Sequence, residues 1–350
     1  MSVFRFGIAG PGMIAHRFAE GLTELSDVTL GAVASSSLER AQAFVSENGA
    51  FFPQAKAYGS YAEMAADSNI DAVYISNLNT QHAETAELFL SMGKPVLCEK
   101  PFALNVAQTD RMIQCARKYD VFLMEAMWTR FLPVTRKVLD WIHEGRIGSV
   151  VRAYSDFGME LMTEENRRTV ALEKGGGALL DLGVYPISFF GMLFGNEPAE
   201  ILTIATKAVT GVDASFEVVF RYGEQKRPFG TDYPTACASV SIDRLMSNSM
   251  KIIGTAGYIE IKDFWMGRGA ALFGRDRNGF FQSLPSEEYT PEYRSTGYQY
   301  EAAEVAECVR AGMKESSVMP LSETRSIMDL MDRLRRSWGV VFPQERIIPS

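Results

Sequence analysis

The sequence predicts an α/β protein in which an N-terminal doubly wound parallel sheet precedes a C-terminal α+β domain with a large, open, mostly antiparallel sheet. Short apolar runs alternate with helical segments up to about residue 124, which is typical of a parallel sheet. From residue 150 onward, runs rich in β-branched and aromatic residues follow one another with turns between them. Because 350 residues exceed what one hydrophobic core usually serves, we predict two domains, residues 1–124 and 125–350.

Composition and charge favour a small-molecule ligand. The formal net charge of -8 argues against nucleic acid or an anionic membrane as a partner, because either would need clustered Lys and Arg. The four cysteines lack CxxC spacing, and with three scattered histidines they predict reduced thiols and no metal site. The N-terminus lacks a signal-peptide pattern, and the apolar stretch near Gly183 to Gly195 is too short to span a bilayer. We therefore expect a cytoplasmic protein.

A glycine-rich turn follows the first apolar run, Phe4 to Ala9. The turn, Gly10-Pro11-Gly12-Met13-Ile14-Ala15, has a G-x-G-x-x-A pattern and opens a helix. Small residues there let the backbone approach a pyrophosphate, and the helix N-terminus offers it free N–H groups. The pattern alone also fits a plain glycine turn, but a second apolar strand, Val28 to Ser35, follows at the distance expected of a Rossmann domain. We predict dinucleotide contacts from Gly10, Gly12, Met13 and Ile14.

The end of that second strand bears on the choice of cofactor. A carboxylate there would accept a hydrogen bond from the ribose 2'-hydroxyl of NAD and repel the 2'-phosphate of NADP. This chain instead has Ser35, Ser36 and Ser37, with Arg40 one turn later. Hydroxyl groups and a cation suit a phosphate, so the sequence favours NADP, with NAD still possible. The alternative is that Arg40 is only a solvated helix residue.

Two later strands, Ala72 to Ile75 and Pro95 to Glu99, end in polar residues that would face a dinucleotide at the carboxyl edge of the sheet. The side chains after the first strand are Asn77, Asn79 and His82. His82 fits equally well in the first turn of a helix from Gln81 to Met92. The second strand ends in Glu99 and Lys100, so it delivers two opposite charges to the same edge.

Asp181 and Tyr185 lie four residues apart in a segment that runs from a glycine-rich start to Gly195. On a helix, this spacing places both side chains on one face. A phenol, with an unperturbed pKa near ~10, exchanges protons poorly at neutral pH, but a nearby ammonium such as that of Lys100 stabilises its anion. The alternative is a tyrosine hydrogen-bonded in the core and an aspartate that starts the helix.

The second domain is predicted to be built mainly from strands joined by turns, which favours antiparallel pairing. The candidate strands are Val150 to Phe157, Ile201 to Ala208, Phe216 to Tyr222, Thr235 to Asp243, Met250 to Ile253 and Tyr258 to Ile261. Three helices are also predicted: Val134 to Gly145, Tyr298 to Ala311 and Ser322 to Val340. We expect the last two to pack back onto the body of the protein.

These motifs together resemble the Gfo/Idh/MocA oxidoreductase family. Its signatures are a G-x-G-x-x-[GA] turn, Glu-Lys-Pro after the fifth strand, and an Asp four residues before a catalytic His or Tyr, and this chain has all three. The stretches from Met124 to Phe131 and from Gly175 to Tyr185 look most like the dihydrodiol dehydrogenase and D-xylose dehydrogenase branch. Many members carry histidine at the position of Tyr185, whereas that branch is known for tyrosine.

The resemblance implies an NAD(P)-dependent enzyme that moves a hydride between nicotinamide and a secondary alcohol or carbonyl of a sugar, polyol or cyclic diol. Tyr185 would exchange the proton, and Lys100 would tune and position it. Asp181 would orient the substrate hydroxyls, and Glu99 would hold Lys100 or contact the nicotinamide ribose. The family also implies self-association through the large sheet, so we expect a homodimer.

Some assignments stay open at this point. Trp128 and Arg130 would wall the nicotinamide end of the pocket, or they could form a packed domain joint. A related class in the same broad family uses NAD transiently to cleave glycosidic bonds. A non-catalytic, dinucleotide-responsive regulator would keep the fold and lose the chemistry, and the presence of Lys100, Asp181 and Tyr185 argues against it.

Overall fold

The structure is a computed structural model that describes residues 3–227, 230–292 and 295–345. The chain forms two compact units, and neither is a single continuous stretch. The first comprises Met1–Trp128 and Tyr293–Met328, and the second comprises Thr129–Glu292 and Asp329–Ser350. The break between Trp128 and Thr129 lies four residues after the predicted boundary between residues 124 and 125. In addition, a late segment of the chain belongs to the first unit, which the predicted division did not include.

The first unit contains a six-stranded parallel sheet in the order β3-β2-β1-β4-β5-β6, which confirms the doubly wound topology. The strands are β1 (Phe4–Ala9), β2 (Val28–Ala34), β3 (Lys56–Tyr58), β4 (Ala72–Ile75), β5 (Val96–Glu99) and β6 (Leu123–Ala126). The strand order reverses between β1 and β4, and such a switch point is where open parallel sheets bind dinucleotides. Strand β3 was not predicted, because its three residues carry no period that could be recognised.

The helices of the first unit are α1 (Met13–Leu22), α2 (Leu38–Glu47), α3 (Tyr61–Ala65), α4 (His82–Ser91), α5 (Val106–Tyr119) and α8 (Gln299–Arg310). Two of them, α4 and α8, begin and end within one residue of their predicted bounds, Gln81 to Met92 and Tyr298 to Ala311. Serine side chains cap two of these helices at their N-termini. Ser37 accepts a hydrogen bond from the backbone N–H of Arg40, and Ser60 accepts one from that of Glu63.

Helix α8 explains why the unit boundary differs from the prediction. Its N-terminus packs so closely on α1 that a Cβ added to Gly21 would lie 2.9 Å from the backbone nitrogen of Gln299. At its other end, Arg310 pairs with Asp27, with 2.5 Å between Nη1 and the carboxylate oxygen. These contacts join residues more than 270 positions apart in sequence, which no local pattern reveals.

The second unit contains an eight-stranded sheet in the order β16-β15-β14-β13-β7-β12-β9-β8. Its strands are β7 (Val150–Gly158), β8 (Glu200–Lys207), β9 (Asp213–Arg221), β12 (Thr235–Ser241), β13 (Met250–Gly254), β14 (Tyr258–Lys262), β15 (Gly269–Phe273) and β16 (Glu287–Tyr289). Only the pair β7 and β12 is parallel among these neighbours, so the prediction of a mostly antiparallel sheet is confirmed. A separate two-stranded ribbon consists of β10 (Gln225–Arg227) and β11 (Gly230–Asp232).

All six predicted strands of this sheet are present, but β15 and β16 were missed. Strand β15 reads Gly-Ala-Ala-Leu-Phe, which is short and low in β-branched residues, although Ala270 and Leu272 are buried. The other helices are α6 (Pro133–His143), α7 (Val184–Phe194) and α9 (Leu321–Ser337).

One helical stretch, Leu172–Phe194, is long and apolar enough to cross a membrane by length and composition, contrary to the sequence estimate. However, 78% of its most apolar window is buried inside the protein, as in a core helix.

Candidate active site

The glycine-rich turn between β1 and α1 has the geometry that a dinucleotide pyrophosphate needs. Gly10 has φ +101°, and a Cβ there would lie 2.7 Å from the backbone nitrogen of Asn77. A Cβ on Gly12 would meet nothing within 4 Å, so the backbone faces open space. Gly12 also starts α1 without a side-chain cap, which leaves the first N–H groups available. Met13 is 78% exposed and Ile14 half-buried in this first turn.

The serines at the end of β2 and the arginine of α2 are brought together as predicted. Nη2 of Arg40 donates to Oγ of Ser36 at 2.9 Å, and both side chains are exposed. Ser35 is buried, and its Oγ accepts a hydrogen bond from the backbone N–H of Ser37 at 3.3 Å. The residues that present donors to solvent are therefore Ser36 and Arg40, which fits a phosphate. Ser35 instead shapes the turn.

The polar residues after β4 are largely committed to contacts within the first unit. Nδ2 of Asn77 donates to Oγ1 of Thr85 at 2.8 Å, and Asn79 is buried. The two ring nitrogens of His82 lie 2.9 Å from the carbonyl oxygen of Pro101 and 3.3 Å from that of Asn77. His82 is only 1% exposed, so its observed contacts connect the end of β4 to the Lys100-Pro101 turn.

Glu99 holds the backbone of Lys100, which is one of the two roles predicted for it. Its Oε2 accepts the Lys100 backbone N–H at 3.0 Å, and its Oε1 accepts the Tyr74 hydroxyl at 2.5 Å. The Glu99 side chain is buried, whereas Lys100 is half-buried at the end of β5. The peptide bond between Lys100 and Pro101 is cis. Lys100 thus leaves the sheet edge from a backbone fixed by a buried carboxyl group.

A second buried acid lies near Glu99. Burial, and then the negative charge of Glu99, raises the pKa of Glu301 well above its usual range. Both causes favour the neutral form of the Glu301 carboxyl group beside Glu99. The same two causes raise the pKa of the Tyr74 hydroxyl, which remains a hydrogen-bond donor. The Glu301 oxygens have no hydrogen-bond partner among the described residues.

Trp128 and Arg130 are both buried, Trp128 in the first unit and Arg130 in the second. The Trp128 ring stacks on Tyr298 with 4.9 Å between centroids and an interplanar angle of 6°. Nε of Arg130 donates to Oγ of Ser188 at 2.9 Å, and Nη2 donates to the Ser188 carbonyl at 3.2 Å. Arg130 therefore anchors α7 three residues after Tyr185, an anchoring role that the sequence had not suggested.

Asp181 and Tyr185 lie in one buried stretch, which we call the Asp181–Tyr185 segment and define as residues 177–188. The regular α-helix assumed for their spacing is not what forms. Leu179–Gly183 is a π-helical turn, and α7 begins only at Val184. Asp181 is 8% exposed and Tyr185 is 5% exposed. Gly176 and Gly177 make room for neighbouring residues beside this turn, since a Cβ on either would collide with them.

Aromatic rings surround Tyr185 within the second unit. The Phe157 ring stands edge-on to it with 5.6 Å between centroids, and the Trp265 ring does so at 6.2 Å. Phe157 and Trp265 also stack on each other at 5.5 Å. The phenol of Tyr185 therefore lies beside a rigid apolar wall, which suits a ring-shaped substrate.

The carboxyl of Asp181 has a partner that the sequence did not reveal. Nη2 of Arg168 donates to its Oδ1 at 3.1 Å. Arg168 lies in an irregular stretch before the glycines, where no motif or period marks it. Sequence reasoning also missed the ring contacts of Phe157 and Trp265 with Tyr185, and the hydrogen bond from the Leu179 backbone N–H to Asp213. These contacts join distant parts of the chain.

The predicted catalytic residues fall into different units. Lys100 belongs to the first unit, with the glycine-rich turn, Ser36 and Arg40. Asp181 and Tyr185 belong to the second unit. Among the described residues, no group of three or more His, Cys, Asp or Glu side chains could hold a metal ion.

Comparison with known proteins agrees with this geometry. Residues 4–127 match the GFO_IDH_MocA oxidoreductase family, described as having an NAD-binding Rossmann fold, and residues 135–260 match the GFO/IDH/MocA C-terminal domain. The chain belongs to the Gfo/Idh/MocA oxidoreductase family. The resemblance found in the sequence is thus confirmed, and the protein is an oxidoreductase with an NAD(P)-binding domain.

Relatives within the family extend over the whole chain. Trans-1,2-dihydrobenzene-1,2-diol dehydrogenase of Mus musculus is 35% identical over 345 residues, which cover 98% of this chain and 99% of that protein. Among solved structures, aldose-aldose oxidoreductase from Caulobacter crescentus, complexed with glycerol, gives a TM-score of 0.81 at 21% identity, covering 96% of this chain and 97% of that one. A 3-ketoreductase from Actinomadura kijaniata, in complex with NADP and TDP-benzene, gives 0.79 at 22% identity, covering 96% and 98%. These two structures support the fold.

Proposed function

We propose that the protein is an NADP-dependent dehydrogenase that interconverts a secondary alcohol and a carbonyl on a cyclic diol, sugar or polyol. The observation that carries the proposal is the surroundings of Tyr185, a phenol beside the aromatic wall of Phe157 and Trp265 in the segment that also holds Asp181. When bound, the cofactor supplies hydride exchange at its nicotinamide ring.

Tyr185 gives or takes the proton at its phenolic oxygen. In this proposal the Lys100 ammonium stabilises the phenolate, since a cation favours the charged form of a tyrosine. Glu99 fixes the backbone from which Lys100 projects, which limits the positions that the ammonium reaches. Proton transfer by a positioned side chain of this kind contributes typically ~10²- to 10⁴-fold to a rate.

Asp181 and Arg168 bind the substrate hydroxyl groups. A carboxylate accepts hydrogen bonds, and a guanidinium has five N–H donors, of which one on Nη2 contacts Asp181. The pair therefore offers an acceptor and donors side by side, which matches two neighbouring oxygens of a diol. The name of the full-length relative, a dihydrodiol dehydrogenase, supports a substrate of this class.

NADP is the proposed cofactor because Ser36 and Arg40 present hydroxyl and guanidinium donors at the end of β2. A helix dipole and free N–H groups at the start of α1 would hold the pyrophosphate. Asn77, Asn79 and His82 shape the sheet edge beside it through their contacts in the first unit.

We also propose that two copies of the chain associate through the outer face of the large sheet. One row across this face, set by the strand register, places Leu202 opposite Val219, then Cys237, then Tyr154. Leu202 is 61% exposed, and Ile204, further along the same strand, is 70% exposed. Apolar side chains in a continuous exposed row favour burial against a partner.

The experiment that tests the catalytic proposal combines the purified protein with NADP⁺ and a panel of cyclic trans-diols, aldoses and polyols. Nicotinamide absorbance follows the cofactor, and chromatography follows the products. Formation of NADPH in equal amount to a ketone or lactone product supports the proposal. Cleavage of a glycoside without net cofactor change would point to the transient redox class, and cofactor binding without any turnover would point to a regulator; either result would overturn it.

A further inference from the structure

Asp213, the first residue of β9, is a buried carboxyl group that touches the start of the Asp181–Tyr185 segment. Its Oδ2 accepts a hydrogen bond from the backbone N–H of Leu179 at 2.6 Å. Leu179 opens the π-helical turn, two residues before Asp181 and six before Tyr185. Asp213 is only 2% exposed, so this contact is shielded from water.

The chain makes specific room for this contact. Gly177 has φ +123°, and a Cβ built on it would collide with Oδ1 of Asp213. Any other residue would be strained there and would also displace the carboxyl group. Oδ1 of Asp213 thus packs against Gly177, and Oδ2 accepts the hydrogen bond from Leu179. The carboxyl group therefore contacts the start of the turn at two points.

Two opposing effects act on the ionisation of Asp213. Burial raises its pKa to about 7, while the hydrogen bond from Leu179 acts in the opposite direction. Arg335 of α9 also favours the ionised form, although it is itself paired with Asp332 and Glu345. Other charged groups on adjoining elements include Lys207, opposite Asp213 in the register of β8, Glu217 and Arg221 further along β9, and Asp181 on the segment itself.

We propose that Asp213 is a positioning residue whose ionised carboxylate fixes the first turn of the Asp181–Tyr185 segment and whose protonation loosens that turn and lowers activity. A carboxylate at the N-terminal end of a helical segment makes a charge-assisted hydrogen bond and interacts favourably with the helix dipole. Protonation leaves only a weaker, neutral contact. Because Asp181 and Tyr185 follow directly, a small shift of the turn displaces both.

The kinetic test rests on the proposed function and uses the full-length protein. Asp213→Ala removes the acceptor and should lower kcat by about 10- to 100-fold, the scale of a misplacement of roughly 1 Å, with NADPH affinity unchanged. Asp213→Asn keeps an acceptor of the same size but carries no charge, so its kcat should match that of the parent at low pH, which is below the parent value at high pH and above that of Asp213→Ala. In the parent, kcat should fall as pH is lowered through about 7, and this inflection should be absent in Asp213→Asn.

A matched control makes the same chemical change elsewhere on the sheet. Asp156 of β7 accepts hydrogen bonds from the backbone N–H groups of Ser247 at 3.0 Å and Ser249 at 2.9 Å. Asp156→Asn should keep the parent pH profile. If Asp213→Ala does not fold, the profile of Asp213→Asn decides by itself. A kcat of Asp213→Ala equal to that of the parent, or an inflection near pH 7 that persists in Asp213→Asn, would overturn the proposal.

A second readout separates this inference from the proposed reaction. Near-ultraviolet circular dichroism reports the packing of aromatic side chains without any substrate, and Tyr185 and Trp265, with 6.2 Å between their ring centroids, contribute to that signal. The parent spectrum should change as pH crosses about 7, and that of Asp213→Asn should stay constant. If no diol or sugar is turned over but this difference is found, the proposed function fails and the positioning contact stands. Identical titrations in both proteins would overturn the positioning contact alone.

Discussion

Nη2 of Arg168 lies 3.1 Å from Oδ1 of Asp181, although Arg168 comes from an irregular stretch thirteen residues earlier. A Cβ on Gly176 would lie 2.5 Å from the Thr169 carbonyl oxygen and 2.8 Å from that of Arg168, so the stretch rests directly on the glycine backbone. Thr169 is buried, and its hydroxyl donates to the backbone carbonyls of Leu161 and Asn166, which stabilises the loop. Arg168 thus meets Asp181 from a fixed position, and the glycines are needed for that approach.

Arg168→Met should raise KM for the substrate and lower kcat/KM by about 10-fold, because loss of a charge-assisted hydrogen bond costs about 1.5–3 kcal/mol and this pair is partly solvent-screened. Arg168→Lys should recover part of the loss. Steady-state kinetics at saturating NADP⁺ measure the effect. The control is Arg167→Met, since the neighbouring Arg167 pairs with the exposed Glu164. Equal kinetics for Arg168→Met and Arg167→Met would show that Arg168 has no part in substrate binding.

Cofactor preference should depend on Arg40 more than on Ser35. Arg40→Ala should weaken NADPH binding by about 10- to 100-fold and leave NADH binding nearly unchanged, because it removes a charge-assisted contact to the 2'-phosphate. Fluorescence titration with both cofactors measures this. Ser36→Asp is a cleaner way to favour NAD than Ser35→Asp, because Ser36 is exposed whereas Ser35 is buried.

A matched control for Arg40 is Arg111→Ala, which removes an exposed arginine of α5 that pairs with Glu87 in the same unit. It should leave the affinities for both cofactors unchanged. Equal loss of NADPH and NADH affinity in Arg40→Ala would indicate that Arg40 supports the fold of α2 rather than the phosphate.

Disruption of the exposed sheet face should produce monomers. Leu202→Glu combined with Ile204→Glu places two charges on the exposed face of the sheet, and the monomer fold should survive because both side chains already face solvent. Light scattering should report a dimer for the parent and the monomer mass of 38.8 kDa for the double variant. Val209→Glu is the control, since Val209 is fully exposed in the turn after β8. A parent that is monomeric at low micromolar concentration contradicts the proposal.

The sequence predicted best where a local apolar run decides the structure. The predicted strand ends at Ile75 and Glu99 are those of the structure, and each follows from residues within one short strand. The glycine-rich turn was equally accessible, because its fit depends on Gly10 and Gly12 themselves.

The contacts that position the candidate catalytic residues are of a different kind. Asp213 is 34 residues from Leu179, and Ser188 is 58 residues from Arg130, so neither contact has a local pattern. The π-helical turn was missed because a period of 3.6 residues was assumed throughout a segment that is apolar on all sides. His82 and Trp128 could not be assigned from the sequence for the same reason. Their roles depend on burial and on their contacts, which include two backbone carbonyls for His82 and the Tyr298 ring for Trp128.

Tyr185 is the group expected to exchange the proton with the substrate. Tyr185→Phe keeps the ring that packs against Phe157 and Trp265 and removes the only atom that exchanges the proton. kcat should fall by about 10²- to 10⁴-fold with cofactor affinity nearly unchanged. Tyr222→Phe is the control, because Tyr222 is also buried in the second unit, stacked on Phe194, and should keep the parent kcat.

Lys100→Met should do similar damage, since it removes the cation that stabilises the phenolate. In the double variant with Tyr185→Phe, kcat should fall by less than the product of the two single losses, because both changes disable the same proton-transfer step. Measured kcat values for the two single variants and the double variant decide between the outcomes. Losses that multiply would mean that Lys100 acts on the cofactor or substrate independently of Tyr185. A Tyr185→Phe enzyme within a few-fold of the parent would mean that another group moves the proton, and His82, whose ring nitrogens lie against two backbone carbonyls, is poorly placed to replace it.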